Sequence, residues 1–246
     1  MDRIPQKLLI LKFIVEQGVV TLEDIKQFLN IPNDSGSIRV SLYQLGISHI
    51  KYGKIPHGVW YVSNSQSIEL LRTYFRELPQ FPIRRIHLHL VPHSLGMNRI
   101  RIILQKSQNI KVSAWWSEHY IRALTPDMRF GILMSKIPDA IFWRDRCNGT
   151  QQKFFLEYER TLKSKARYMD LFRYYSQRND VLNRNVIYIC ENDTIKTELE
   201  KIEQFLVKSG RMESTGLYFQ FITFEKFCLQ YSIQNPIQKE EEVCVN

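Results

Sequence analysis

Between Pro138 and Tyr168 the chain places Asp139, Glu157 and Glu159 close in sequence to Lys163, Lys165 and Arg167, with short apolar runs between them. In KFFLEYE, residues 153–159, strand alternation puts Phe155, Glu157 and Glu159 on one face and Phe154, Leu156 and Tyr158 on the other. The two carboxylates then point the same way, about 7 Å apart by the strand rise. Like charges on a half-buried face are unfavourable unless a cation neutralises them. If DAIFWR, residues 139–144, pairs with KFFLEYE as a hairpin through the turn DRCNGT, Asp139 joins the two glutamates. Three carboxylates at one place form a hard-oxygen site suited to Mg²⁺ or Mn²⁺. Lys163, expected to open the next helix, can reach the same spot. The competing reading is a solvated strand and helix linked by ordinary ion pairs. The neighbours Phe154, Phe155 and Leu156 argue instead for a strand buried on at least one side.

Such a site needs a sheet to hold it. Around it, HSLGMNRIRIILQKS reads as a helix and KVSAWWSEHYIRAL as a strand leading into a short helix. RFGILM, DAIFWR and KFFLEYE read as strands. A long amphipathic helix follows, with Tyr168, Leu171, Phe172 and Tyr175 at i, i+3, i+4 and i+7. Then come strand NVIYIC, helix TIKTELEKIEQFLVKS, strand LYFQFITF and a polar, acidic tail. Alternation of this kind predicts an α/β (mixed α+β) arrangement, a sheet flanked by helices.

The first 80 residues have another character. Leu8, Leu9, Ile14 and Val15 mark a helix ending at Gly18, and Thr21 three residues before Asp24 has capping-box spacing for a second. A third helix is predicted over about 35–45, with Ile38, Leu42 and Leu45 inward and Arg39, Tyr43 and Gln44 outside. Two β-rich runs joined by the Gly53–Gly58 turn follow, then a helix over about 65–78 and the Pro79/Pro82 pair. Three helices and a two-stranded wing are the order of a winged helix-turn-helix, whose third helix enters the major groove while the wing meets backbone. The candidate DNA contacts are Ser37, Arg39 and Tyr43 on that helix and Lys51, Lys54 and His57 on the wing. The expected organisation is a winged-helix domain over 1–80, an α/β domain over 81–235 and an acidic tail over 236–246.

Charge agrees with a polyanionic partner. The 246 residues carry a formal net charge of +9, and the excess is central: residues 65–110 hold 7 basic and 2 acidic side chains, and residues 111–190 hold 14 and 8. Basic surface around a few acids suits phosphate binding with counterion release. No run approaches the roughly 18 apolar residues of a membrane span, so a cytoplasmic protein is expected. Cys147, Cys190, Cys228 and Cys244 form no metal-ligand or disulfide spacing. Core packing is expected of Trp115 and Trp116, structural roles of His87, His89 and His93, and none of the 12 tyrosines stands out as a nucleophile.

Pro138-Asp139, the strand ending Glu157-Tyr158-Glu159, then Lys163-Ser164 and Arg167-Tyr168, resembles the replication-relaxation family of mobile elements, which includes the MobC-type relaxases of mobilisable plasmids. That family joins an N-terminal winged helix to a PD-(D/E)xK, restriction-endonuclease-like domain. The resemblance covers the whole chain in domain order and specific residues between about 136 and 175. It implies that Asp139 and Glu157 are metal ligands, with the Tyr158 carbonyl as a third oxygen, and that the protein nicks double-stranded DNA at an origin of transfer. In the general superfamily pattern the residue two after the acid is Lys, and here it is Glu159. Either Glu159 is a further ligand or base with Lys163 supplying the cation, or catalysis is lost and the domain only binds DNA. Glu118 would be the extra acid of an early helix, and Lys163 with Arg167 would steady the charge developing on phosphorus. Relaxosome accessory and coupling proteins are implied partners, and a homodimer is compatible with the sequence. The rival reading is a non-catalytic DNA-binding regulator of plasmid replication or transcription.

Overall fold

The computed structural model describes residues 4–31, 35–83, 85–107, 110–124, 136–146, 148–176, 185–212 and 219–231. The predicted strand RFGILM and the acidic tail lie outside them.

The N-terminal helices form where their apolar spacing puts them: α1 (Gln6–Gln17), α2 (Leu22–Leu29) and α3 (Ser35–Gln44). Helix α1 stops at Gly18, whose N–H bonds the Ile14 carbonyl. The capping box is complete: the Thr21 hydroxyl accepts from Asp24 N–H at 3.0 Å, and the Asp24 carboxylate accepts from Thr21 N–H at 2.8 Å. Ile38 and Leu42 of α3 are buried, whereas Tyr43 is 59% exposed. Strands β1 (Ser48–Ile50) and β2 (Val59–Tyr61) pair antiparallel. The turn between them needs Gly58, at φ +64°, because a Cβ there would strike the Ile50 carbonyl. Helix α4 (Ser65–Tyr74) ends earlier than predicted, and the chain then runs to Leu78 and Phe81. Both are buried, and Phe81 stacks 5.6 Å from His119, so the Pro79–Pro82 stretch is seated against the following domain.

The second part is a mixed α/β unit. After a 3₁₀ turn at Leu88–Leu90 come α5 (Val91–Lys106), β3 (Val112–Ser117), α6 (Glu118–Ala123), β4 (Ala140–Asp145), β5 (Gln151–Glu159), α7 (Lys165–Ser176), β6 (Asn185–Cys190), α8 (Asp193–Lys208), β7 (Phe219–Thr223) and α9 (Phe224–Tyr231). The strands lie in chain order, β3-β4-β5-β6-β7. The β3/β4 and β4/β5 pairs are antiparallel, and β5/β6 and β6/β7 are parallel. The predicted hairpin between 139–144 and 153–159 is therefore present. Helix α9 was not predicted; its segment reads as continuing the strand LYFQFITF into a polar tail.

Alternation along β5 divides the core. Phe155, Ile141 and Tyr188 pack with Tyr168, Phe172 and Tyr175 of α7 and with α8. On the opposite face Leu156, Tyr158, Phe142 and Ile189 pack with Met97, Ile100 and Leu104 of α5 and Phe227 of α9. Gly96 lets α5 approach closely, since a Cβ there would enter the Tyr158 ring. Trp115 is buried and stacks on Phe142 at 6.0 Å, so the expected packing role holds.

The first core continues from α1 into α7 and ties the two parts together. At the junction Arg101 donates to Glu16 at 2.8 Å, with both side chains buried, and its guanidinium lies 4.8 Å from the Phe28 ring centre and 5.4 Å from that of Phe13. Ser117 and Lys12 also hydrogen-bond Glu16, and Asn98 donates to the Val19 carbonyl and to Asp24. Removing one partner of a buried pair strands the other. Arg101→Met is expected to lower the unfolding free energy by about 3–5 kcal/mol, read by urea denaturation, with the tryptophan signal of both parts lost in one transition.

Candidate active site

Glu157 and Glu159 share the face of β5 that α7 covers, as alternation predicts, and they are 7% and 1% exposed. Asp139 directly precedes the Ala140↔Leu156 pair and Glu157 directly follows it, so their carboxylates start from neighbouring positions across the ladder. Asp139 is anchored rather than loose: its Oδ2 accepts from Tyr158 N–H at 2.7 Å, and its Oδ1 lies 3.2 Å from His93 Nε2. The N–H of Glu118 holds the Asp139 carbonyl at 2.7 Å.

Each carboxylate has its own partner. Tyr175 donates to Glu157 Oε1 at 2.5 Å. Lys163 donates to Glu159 Oε1 at 2.8 Å; Oε2 is 2.7 Å from the same ammonium but has no hydrogen bond of proper geometry. Lys163 does reach the site, yet it precedes α7 instead of opening it, and so shares no helical face with Arg167. The reason is local: Ser164 takes the cap position and its hydroxyl accepts from Arg167 N–H. Arg167 is exposed. Lys163 N–H is itself held by the Tyr168 hydroxyl at 3.2 Å, which fixes the turn that brings the ammonium back to Glu159.

Electrostatics follows from this crowding. Burial pushes Glu157 well above the usual carboxylate range, Asp139 adds to the rise, and Tyr175 only partly offsets it. Burial also raises Glu159, against the pull of Lys163. For His93 burial works downward, but the hydrogen bond and charge of Asp139 raise it on balance. A cation beside Asp139 and Glu157 would relieve the repulsion that burial intensifies.

Among the described residues, no group of three His, Cys, Asp or Glu side chains is arranged to hold a metal ion. The expected convergence of Asp139, Glu157 and Glu159 on one ion is thus replaced by two adjacent carboxylates, Asp139 and Glu157, with Glu159 turned to Lys163. Two carboxylates with water completing the shell still suit Mg²⁺ or Mn²⁺, which keep several of their waters. Glu118 lies at the rim, paired with Arg122 at 2.5 Å. His93, Tyr168 and Tyr175 were not expected here. His93 gave no sequence signal beyond its histidine neighbours, Tyr175 was read only as apolar stripe, and Tyr168 as part of that stripe and of the Arg167-Tyr168 match.

In the N-terminal part Tyr43, Lys51, Lys54 and His57 are exposed and Arg39 half-buried; Ser37 is exposed on the same helix as Arg39 and Tyr43. His49, stacked on Trp60 at 4.9 Å with Tyr43 edge-on to it, joins α3 to the β1–β2 ribbon.

No family model, curated protein or solved structure matches this chain.

Glu157 titrates near 4.5 when unfolded and higher when folded. Its contribution to stability is complete below that value and is lost as pH rises through the folded value. Glu157→Gln is expected to flatten the fall of stability as pH rises above the ordinary carboxylate range and to exceed wild type at the upper end. Urea midpoints across that rise in pH read it, and parallel curves for the two proteins would contradict it.

Proposed function

We propose that this protein binds double-stranded DNA through a winged-helix module and nicks one strand at a plasmid or conjugative-element origin with the help of a divalent metal, as a relaxase resembling the replication-relaxation family. The observation that carries the reading is the placement of Asp139 beside Glu157 across the β4–β5 ladder, with the Glu159–Lys163 ion pair next to them. Asp139, Glu157 and the Tyr158 carbonyl would hold Mg²⁺ or Mn²⁺, and the bound ion would polarise a phosphoryl oxygen and acidify its water.

The chain's own groups do the rest. Tyr158 N–H and His93 keep Asp139 oriented, and Tyr175 keeps Glu157 in one rotamer. Lys163, tethered to Glu159, stands where a cation can face an incoming phosphate, the part that the superfamily's strand lysine plays. The order α1-α2-α3-β1-β2 supports the winged-helix reading, with Arg39 and Tyr43 facing bases and Lys51, Lys54 and His57 facing backbone. The central basic excess supports a polyanion as partner.

A second reading, a DNA-binding regulator without catalysis, is favoured by the engagement of every site carboxylate within the protein. Supercoiled plasmid carrying the cognate origin separates the two. With Mg²⁺ or Mn²⁺ the wild type is expected to relax it, and Asp139→Ala and Glu157→Ala to be slower by about 100-fold or more. Unchanged topology with every protein supports the regulator. For the DNA module, Lys51→Ala and Lys54→Ala are each expected to lessen the slope of log affinity against log salt by about 1, measured by fluorescence anisotropy; a slope that does not move removes the wing from the interface.

A further inference from the structure

Helix α8 leaves one large aromatic ring at the surface. Phe205 is 41% exposed, and two cations stand over it: Lys165 Nζ is 4.5 Å from the ring centre and the Arg211 guanidinium 5.8 Å. Lys201 and Lys208, four residues before Phe205 and three after, share its helix face and are exposed with it. Arg211 is brought back by the turn that ends the helix, where Gly210 sits at φ +65° and Arg211 N–H bonds the Leu206 carbonyl at 2.9 Å. Lys201 pairs with Glu198 at 2.6 Å; among the described residues no carboxylate pairs with Lys165, Lys208 or Arg211. Attraction to a ring accounts for a single such contact. Three unneutralised cations gathered around one ring repel one another, and an anion relieves them.

We propose that this patch binds single-stranded DNA: a base stacks on Phe205 and the Arg211 guanidinium, and Lys165, Lys201 and Lys208 meet the phosphates on either side. A single strand offers both parts, phosphates for the cations and an unpaired base for the ring, whereas a duplex keeps its bases stacked inside. An acidic peptide offers the charge alone. Lys165 follows Lys163 by two residues, so a strand freed at the carboxylates would pass directly onto the patch. That use rests on the nicking reading; the binding does not.

The test uses the full chain in EDTA, so that no cleavage contributes. Fluorescence anisotropy with labelled oligothymidylate of about 20 nucleotides, which has no duplex to offer, reads the affinity. Phe205→Ala is expected to weaken it by about tenfold, and Phe205→Tyr to restore it, because stacking needs a ring. Lys165→Gln and Lys208→Gln are each expected to lessen the slope of log affinity against log salt by about 0.7. Arg211→Gln, at an exposed side chain beyond the helix, reads the stacking platform a second time, with a loss of about threefold. Thermal melts matching wild type exclude misfolding as the cause.

The proposal is overturned if the wild type does not bind the oligonucleotide, if Phe205→Ala and Arg211→Gln keep its affinity, or if neither lysine variant moves the slope. Polyglutamate that displaces the oligonucleotide and binds Phe205→Ala as tightly as wild type makes the patch a seat for acidic peptide, and overturns it too. A protein that nicks no plasmid yet binds oligothymidylate through Phe205 loses the nicking reading and keeps this surface.

Discussion

The site is governed by one electrostatic constraint: two glutamates stand on a strand face covered by a helix. A buried carboxylate must find a proton, a donor or a cation, and each of the elements around β5 supplies one of these. Helix α7 brings Tyr175 to Glu157, and the turn before it returns Lys163 to Glu159. Across the ladder, Asp139 is held off by Tyr158 N–H and His93. The aromatic stripe of α7 therefore has a double task. It fills the core under the sheet, and through Tyr168 and Tyr175 it sets the polar geometry above it.

The helical module is fastened to this arrangement by polar contacts as specific as those in the site. Glu16 gathers Arg101, Lys12 and Ser117 at the end of α1, and Asn98 caps the chain just beyond it. The guanidinium of Arg101 sits against Phe13 and Phe28, so its charge is balanced by a carboxylate and by ring faces rather than water. Buried pairs of this sort fix orientation more reliably than they add stability. Helix α3 and the carboxylates are thereby held in one frame through a shared core.

Much of this was legible in the order of the residues. The Thr21–Asp24 capping box, the Gly18 stop, the 153–159 alternation and the Tyr168–Tyr175 spacing are local rules, and local rules predict local structure well. The hairpin bringing Asp139 to Glu157 followed from the same alternation and the short turn DRCNGT. What escaped depended on contacts distant in sequence. His93 meets Asp139 only because α5 crosses the sheet near Gly96. Lys163 was expected to open the helix, and the capping role of Ser164 leaves it in the turn before the first helical residue. The three-carboxylate convergence failed for a related reason: a short turn let Lys163 take Glu159 first.

Strand β5 is the third of five, bonded antiparallel to β4 on one side and parallel to β6 on the other. Its Phe154–Leu156 stretch is bonded on both edges, whereas Glu157–Glu159 pairs with β6 and is tied across the ladder through Tyr158 N–H and Asp139. Any adjustment of the carboxylates on demand must then come from the flanking helices. Tyr175 stands in the last turn of α7, so a pull on that end of the helix would be felt first as a changed hold on Glu157.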